Sequence, residues 1–131
     1  MPDRSPIVRK AERYAVTRLY VELTRILQDS LCEGVCEIAN GECSSLAVIA
    51  CAVAVGHFEG RPMNATKIAL YIDMPRTTAL RKLTRLVEQG AIARRGNLYY
   101  IAPQRASGLK KLTIDQMVRK VTEAYRALPL V

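Results

Sequence analysis

The chain has 131 residues, 50% of them hydrophobic, and its formal net charge at pH 7 is +8. This length suits a single domain with one core, and no apolar run approaches the roughly 20 residues that a membrane-spanning helix needs. The first residues, "MPDRSPIVRK", contain no apolar segment typical of a signal peptide. We therefore expect a soluble cytoplasmic protein with no membrane partner.

The cationic residues are concentrated in one third of the chain. Residues 61–102 carry the cations Arg61, Lys67, Arg76, Arg81, Lys82, Arg85, Arg94 and Arg95 against the acids Asp73 and Glu88, whereas residues 28–60 carry acids and no Lys or Arg. Such a cluster attracts polyanions, and nucleic acid is the commonest of these in the cytoplasm. The alternative is a surface whose charge only keeps the protein soluble.

The two ends of the chain predict amphipathic helices. "IVRKAERYAVTRLYVELTRILQDSL" has one apolar stripe through Ala15 and a second through Tyr14 and Val21, which is wider than one partner helix covers. "LTIDQMVRKVTEAYRAL" opens with Thr113 and Gln116 in capping-box spacing and then repeats apolar residues every three or four positions. Both helices therefore present broad apolar faces.

The middle of the chain predicts two helices before the cationic segment. Ser44 or Ser45 can cap a helix that is apolar nearly all round through Val55, a pattern typical of the centre of a core. "GRP" then breaks the chain, and Asn64 can cap a short helix that ends near Asp73.

A cationic helix and a hairpin follow. Pro75 fits the first turn of the helix "PRTTALRKLTRLVEQ", and Gly90 closes it as a C-cap. In "AIARRGNLYYIAP", apolar residues alternate on both sides of "RGN", which supplies the positive φ angles of a tight hairpin turn. By the same alternation, one of Tyr99 and Tyr100 is a core residue.

This order of elements predicts a mainly α fold with a small β-hairpin, a winged helix-turn-helix with N- and C-terminal dimerisation helices. We expect an N-terminal dimerisation helix with a connecting segment at residues 1–44, the winged module at 45–103 and a C-terminal dimerisation helix at 104–131. If Ala79, Leu83 and Leu86 form the inward face of the cationic helix, its opposite face can enter the major groove of DNA. The predicted DNA-binding residues are Asn64, Thr66, Arg76, Thr77, Thr78, Leu80, Arg81, Lys82, Thr84, Arg85, Arg94 and Arg95.

These residues have different predicted roles. Arg76, Thr77, Leu80, Arg81 and Thr84 are expected to look outward, with Arg76 and Thr77 in the first turn near base edges and Arg81 one turn later. Lys82 and Arg85 are expected to meet phosphates, as are Asn64 and Thr66 through the start of the short helix. Arg94 and Arg95 are expected at the tip of the wing.

The segment "NATKIALYIDMPRTTALRKLTRLVEQGAIARRGNLYYIAP" resembles the winged DNA-binding module of MarR-type bacterial transcription regulators. The resemblance lies in the capped short helix at Asn64, the turn at 73–75, the polar-Thr-apolar-x-Arg-x-apolar pattern of 77–83, Gly90 with Ile92, and the basic wing at 94–95. It implies an intertwined homodimer built from the terminal helices. It also implies a small-molecule effector in a cleft that Tyr14, Tyr20 and Tyr71 could line, although we favour these tyrosines as core residues.

The sequence thus predicts a homodimeric, sequence-specific, double-stranded DNA-binding regulator of transcription. The alternative is a winged-helix protein-protein interaction module that docks an acidic partner. The operator, the regulated genes and the direction of regulation do not follow from the sequence.

No cofactor, metal or enzymatic activity is expected. Cys32, Cys36, Cys43 and Cys51 lack the paired C-x-x-C spacing of zinc sites, and we favour unreactive thiols over a redox or metal sensor formed by the first three. His57 is the only histidine, and we interpret it as a residue compatible with the dipole at a helix C-terminus. No nucleophile and base stand in a recognisable catalytic pattern.

Overall fold

The computed structural model describes residues 6–31, 42–102 and 111–129. Within them the chain forms the helices α1 (Pro6–Leu31), α2 (Glu42–Phe58), α3 (Ala65–Tyr71), α4 (Arg76–Glu88) and α5 (Lys111–Ala127), and the strands β1 (Ile92–Arg95) and β2 (Leu98–Ile101). The two strands pair antiparallel as a hairpin. The expected fold class, mainly α with a small β-hairpin, is confirmed.

The chain divides into two compact units. The terminal unit contains α1 and α5, and the central unit contains the elements from α2 to β2. None of the helices in the described parts of the chain combines the length and the hydropathy that a bilayer crossing requires.

Most large apolar side chains described in the terminal unit are exposed. Ala15 is buried at 5% exposure, but Tyr14 and Tyr20 on the same helix are 65% and 69% exposed. Our interpretation of these tyrosines as core residues is therefore wrong, and so it is for Tyr71 of α3, which is 60% exposed. Val21, which shares the second apolar stripe of α1 with Tyr14, is 52% exposed. On α5, the stripe of Ile114, Val118, Val121 and Tyr125 is likewise exposed.

The central unit has its own apolar core around α2. Ile49 and Val53 of this helix are essentially inaccessible to solvent, and α2 packs against α3, α4 and β2. The core residues are Leu46, Ile49, Ala52, Val53, Ala65, Ile68, Leu83, Leu86, Ile92 and Tyr99. A helix that is apolar nearly all round is buried on several sides, as its sequence predicted.

The predicted N-caps of α2 and α5 are wrong, because both helices begin earlier than expected. Since α2 begins at Glu42, Ser44 and Ser45 lie inside it, and since α5 begins at Lys111, Thr113 lies inside that helix. Ser and Thr are tolerated within helices as well as at their ends, so a hydroxyl residue near a boundary does not fix the boundary.

A tight turn connects α3 and α4. Asn64 caps α3, as predicted, because its side-chain Oδ1 accepts a hydrogen bond from the Lys67 backbone N–H at 2.9 Å. After Tyr71 the chain turns through Asp73, which has a φ of 54°, and the Met74 N–H donates to the Ala69 carbonyl at 2.9 Å. This six-residue closure is a Schellman motif, and it redirects the chain into α4.

The end of α4 also has a Schellman motif. The C-cap is Gln89, one residue before the Gly90 that we predicted, and Gly90 itself follows the cap with a φ of 73°. The Ala91 N–H donates to the Leu86 carbonyl at 3.0 Å. Only the absence of a Cβ makes this left-handed conformation easy, so the glycine determines where the chain leaves the helix.

The hairpin turn contains two residues, since Arg95 pairs with Leu98. Gly96 has a φ of 63°, whereas Asn97 does not have a positive φ, so only one of the predicted positive angles is present. A positive φ at the first loop position alone is the pattern of a type II′ turn. Tyr99 is the core residue of the tyrosine pair, at 3% exposure, and Tyr100 is half-buried.

Candidate nucleic-acid interface

Helix α4 has one buried and one polar face. Ala79 and Leu83 are fully buried and Leu86 is 3% exposed, which confirms the predicted inward face. The exposed residues of α4 include Arg76, Thr77, Arg81 and Thr84, each of which we predicted to look outward. The first turn of α4 contains no acid. The outer face thus offers donors and positive charge on a rigid, core-anchored helix.

Two residues of the predicted DNA-binding set are buried or packed against the core: Leu80, which we predicted to look outward, and Lys82, which we predicted to meet a phosphate. Lys82 is only 7% exposed, and Leu80 is half-buried and packs against the core. Lys82 follows Ala79 by three positions and precedes Leu86 by four, so helical periodicity alone places it on the inward face. A lysine can bury its methylene stem while its ammonium reaches water. Lys82 can therefore contact a phosphate only if its ammonium group reaches the surface while its stem stays buried. Thr78 and Arg85 are half-buried.

A side-chain hydrogen bond links α3 to α4 across the turn. The Nε–H of Arg76, the first residue of α4, donates to Oγ1 of Thr66 in the first turn of α3 at 3.0 Å. Both residues are exposed. No sequence pattern indicates this contact, because helical periodicity does not relate residues on different helices. It joins two residues that we had predicted to act separately.

Two other polar side chains of the predicted set bond to nearby backbone. The Asn64 side-chain oxygen is used in the cap of α3, and the Thr84 hydroxyl donates to the Leu80 carbonyl at 2.9 Å. Thr84 therefore presents its methyl group and an acceptor oxygen rather than a free O–H.

Both wing arginines are exposed and lie over tyrosine rings. Arg94 pairs with Tyr99 across the hairpin, its guanidinium carbon is 6.0 Å from the ring centroid, and its Nε–H donates to the Gly96 carbonyl at 2.7 Å. The Arg95 guanidinium carbon is 5.4 Å from the centroid of Tyr100. Cation–π contacts of this kind orient a guanidinium while its outer edges can still bind an anion.

His57 attaches the hairpin to α2, a role that we did not predict. Its Nδ1 accepts a hydrogen bond from the Ile101 backbone N–H at 3.1 Å, and its ring meets the Phe58 and Tyr100 rings edge-on at 5.8 and 6.1 Å. This hydrogen bond adds to the helix-dipole role that we had assigned, because it connects the end of α2 to β2. On the same edge of β2, Met63 forms a bridge to Tyr99, whose N–H donates to the Met63 carbonyl at 3.1 Å.

The cysteine predictions are tested only in part. Cys51 is a half-buried free thiol, and burial raises its pKa, which disfavours the reactive thiolate. Cys32 and Cys36 lie outside the described residues, and so does the side chain of Cys43. The choice between unreactive and sensing thiols at those three positions stays a prediction.

We compared the chain with protein-family models, curated proteins and solved structures. None of the three comparisons gave a match.

Proposed function

We propose that the chain is a sequence-specific, double-stranded DNA-binding regulator of transcription of the MarR type that acts as a homodimer. The proposal depends above all on the two-sided character of α4, in which Arg76, Thr77 and Arg81 are exposed opposite the buried Leu83. A helix of this kind can enter the major groove, where Arg binds guanine in two places and Thr contacts the thymine methyl group.

The arrangement of the central unit supports a winged helix-turn-helix. In that module, two helices hold a recognition helix against the core, and a hairpin follows it. Here α2 and α3 pack against α4 and the β1–β2 hairpin follows directly, with an additional bridge from Met63 to β2. The tight turn at Asp73 joins α3 to α4. In this proposal Arg94 and Arg95 meet a neighbouring phosphate backbone or minor groove.

The terminal unit supports the proposal of a homodimer. Tyr14 and Tyr20 of α1 and Val118 and Tyr125 of α5 are each more than half exposed. The exposed apolar residues of α5 follow one another at helical spacing, and an exposed apolar stripe of this kind is typical of a protein-protein interface. In a twofold dimer the same patch serves both subunits, and two copies of α4 would read half-sites about 10 base pairs apart, or a small multiple of that.

Selection of DNA by the purified chain tests the proposal. The protein is mixed with fragmented genomic DNA or a random duplex pool at two salt concentrations, and the bound fraction is sequenced. We expect one reproducible, pseudo-palindromic site and an affinity that falls linearly with log salt concentration. Recovery of unrelated sequences in repeated selections would contradict sequence-specific binding.

Two variants of α4 separate base reading from charge. Replacing Arg81 by Ala is expected to cost about 1–3 kcal/mol of binding free energy on the selected site and little on other duplexes. Lys82→Met keeps the buried stem, so it is expected to weaken binding to all duplexes alike and to reduce the salt slope by about one unit per half-site. Equal effects of the two substitutions would reverse this assignment.

One observation favours a second function, the docking of an acidic protein partner. Leu70 and Tyr71 on α3 are 77% and 60% exposed, close in sequence to the exposed Lys67. Aromatic side chains are enriched in protein interfaces, and a cation at the edge of such a patch favours a partner of negative charge. Binding to DNA without any sequence selection, together with loss of an acidic protein partner in Leu70→Ser, would favour this function over regulation of transcription.

A further inference from the structure

We propose that Thr66 is a positioning residue that fixes Arg76 for end-on recognition of a guanine. The inference rests on the proposed function, because it assumes that α4 meets a DNA duplex. It assigns to Thr66 a role in sequence discrimination rather than the separate phosphate contact that the sequence suggested.

The hydrogen bond determines which donors of Arg76 remain. A guanidinium has one Nε–H and four Nη–H donors in one rigid plane. The Nε–H is engaged by Thr66 Oγ1 at 3.0 Å. Recognition through the Nε side of the plane is then blocked, and the two terminal nitrogens provide the pair of parallel donors at the end of the side chain.

That pair of donors matches one base edge. In the major groove, guanine presents N7 and O6 as two adjacent acceptors, and no other base presents two acceptors in this arrangement. Arg76 is the first residue of α4 and is exposed, in the part of a recognition helix that reaches base edges. Because Thr66 is on α3, its hydrogen bond also limits the rotation of a long side chain before DNA binds, so less conformational entropy is lost on binding.

The experiment combines an isosteric variant with an isosteric base. The chain first selects its duplex from a random pool, and each guanine of that duplex is then replaced in turn by 7-deazaguanine, which lacks the N7 acceptor. For the wild type we expect one replacement near the α4 start of each half-site to weaken binding about tenfold. In Thr66→Val, which keeps the shape and loses the acceptor, this penalty should fall to about twofold or less, and the affinity for the unmodified selected duplex should fall about tenfold.

Matched variants distinguish positioning from a structural role. Thr66→Ser keeps the hydroxyl and should restore the full 7-deazaguanine penalty. In an Arg76→Lys background, which keeps the charge but removes the guanidinium, Thr66→Val should change the penalty by less than about twofold. An NMR measurement without DNA adds a direct readout, since the Arg76 Nε–H should exchange slowly in the wild type and in Thr66→Ser but rapidly in Thr66→Val.

Three results would overturn the inference. If Thr66→Val weakens every duplex equally, Thr66 itself contacts phosphate. If it leaves both affinity and penalty unchanged, the hydrogen bond does not contribute to recognition. If the wild type selects no duplex, the proposed function fails and this inference fails with it. If the wild type selects a duplex that Thr66→Val binds equally well, the inference fails but the proposed function stands.

Discussion

In the central unit α2 and α4 form a closed core, with Ile49 and Leu83 at 0% exposure, although Phe58 at the end of α2 is 70% exposed. In the terminal unit no large apolar side chain described is fully buried, and Tyr20 and Val118 are 69% and 57% exposed. Burial of apolar area is the main favourable term in folding. The central unit obtains this term from its own core. The terminal unit leaves much of its apolar surface in contact with water, which is the expected property of a surface that packs against another subunit.

Removal of core volume from the central unit should have the largest effect. We expect Leu83→Ala to lower the free energy of unfolding by about 2–5 kcal/mol, because a cavity replaces a fully buried side chain. Urea denaturation measured at two protein concentrations checks this. The loss should be the same at both concentrations, since the core lies within one chain. A loss below about 1 kcal/mol would mean that Leu83 is not part of a closely packed core.

A charge on the exposed face of α5 should separate the subunits without unfolding them. Val118 is already exposed, so Val118→Glu should change the stability of the single chain little, but a buried, unpaired carboxylate should weaken the dimer by roughly 1–3 kcal/mol or more. Sedimentation should then give the 14.6 kDa mass of one chain instead of twice that mass.

Arg119→Gln, on an exposed residue beside Val118, is the control for charge alone, because it lowers the net charge by the same one unit as Val118→Glu. A wild type that sediments as a single chain at micromolar concentration would contradict the proposed dimer. Equal dissociation by both substitutions would indicate that charge, rather than the apolar face, controls association.

Removal of the α3 cap should have a smaller effect, confined to the central unit. Asn64→Ala removes the acceptor of the 2.9 Å bond from the Lys67 N–H and should lower the free energy of unfolding by about 0.5–2 kcal/mol. Asn64→Asp keeps an acceptor oxygen at the cap and should retain most of the stability. Thermal denaturation compares the two, and equal losses would show that the cap contributes little.

The smallest predicted effect concerns the exposed ion pairs of the terminal unit. A hydrogen bond from Arg18 lowers the pKa of the Glu22 carboxyl, with further help from Lys120. The stability that this pair contributes is therefore present above the ordinary carboxyl pKa and is lost as the pH falls through the lowered value. A carboxyl NMR titration should show the lowered pKa, and Arg18→Met should shift it back toward the ordinary value. An ordinary Glu22 pKa in the wild type would contradict the pairing.

Some parts of the molecule could be predicted because short-range chemistry determines them. The inward face of α4 follows from the spacing of Ala79, Leu83 and Leu86, and the hairpin follows from a glycine between alternating segments. The cap by Asn64 follows from the preference of that residue for helix starts. In each case a few neighbouring residues contain the whole physical cause.

Other parts depend on contacts between elements. The hydrogen bonds from Arg76 to Thr66 and from Ile101 to His57 join residues on different elements, and no periodic pattern in the sequence predicts them. The burial of Lys82 was predictable from spacing, but its charge led us to place it on the surface, although a lysine stem can pack within a core. The exposure of Tyr20 could not be predicted, since an amphipathic pattern does not say whether its partner lies within the same chain.

A salt titration of the intact chain on its selected duplex tests most directly whether α4 and the wing together meet DNA. We expect the logarithm of the association constant to fall linearly with log salt concentration, with two chains bound per site. Arg95→Gln removes one cation from each half-site, so it should make the slope less steep by about one unit per half-site. A salt-independent affinity, or a slope that Arg95→Gln leaves unchanged together with binding of one chain, would contradict the account.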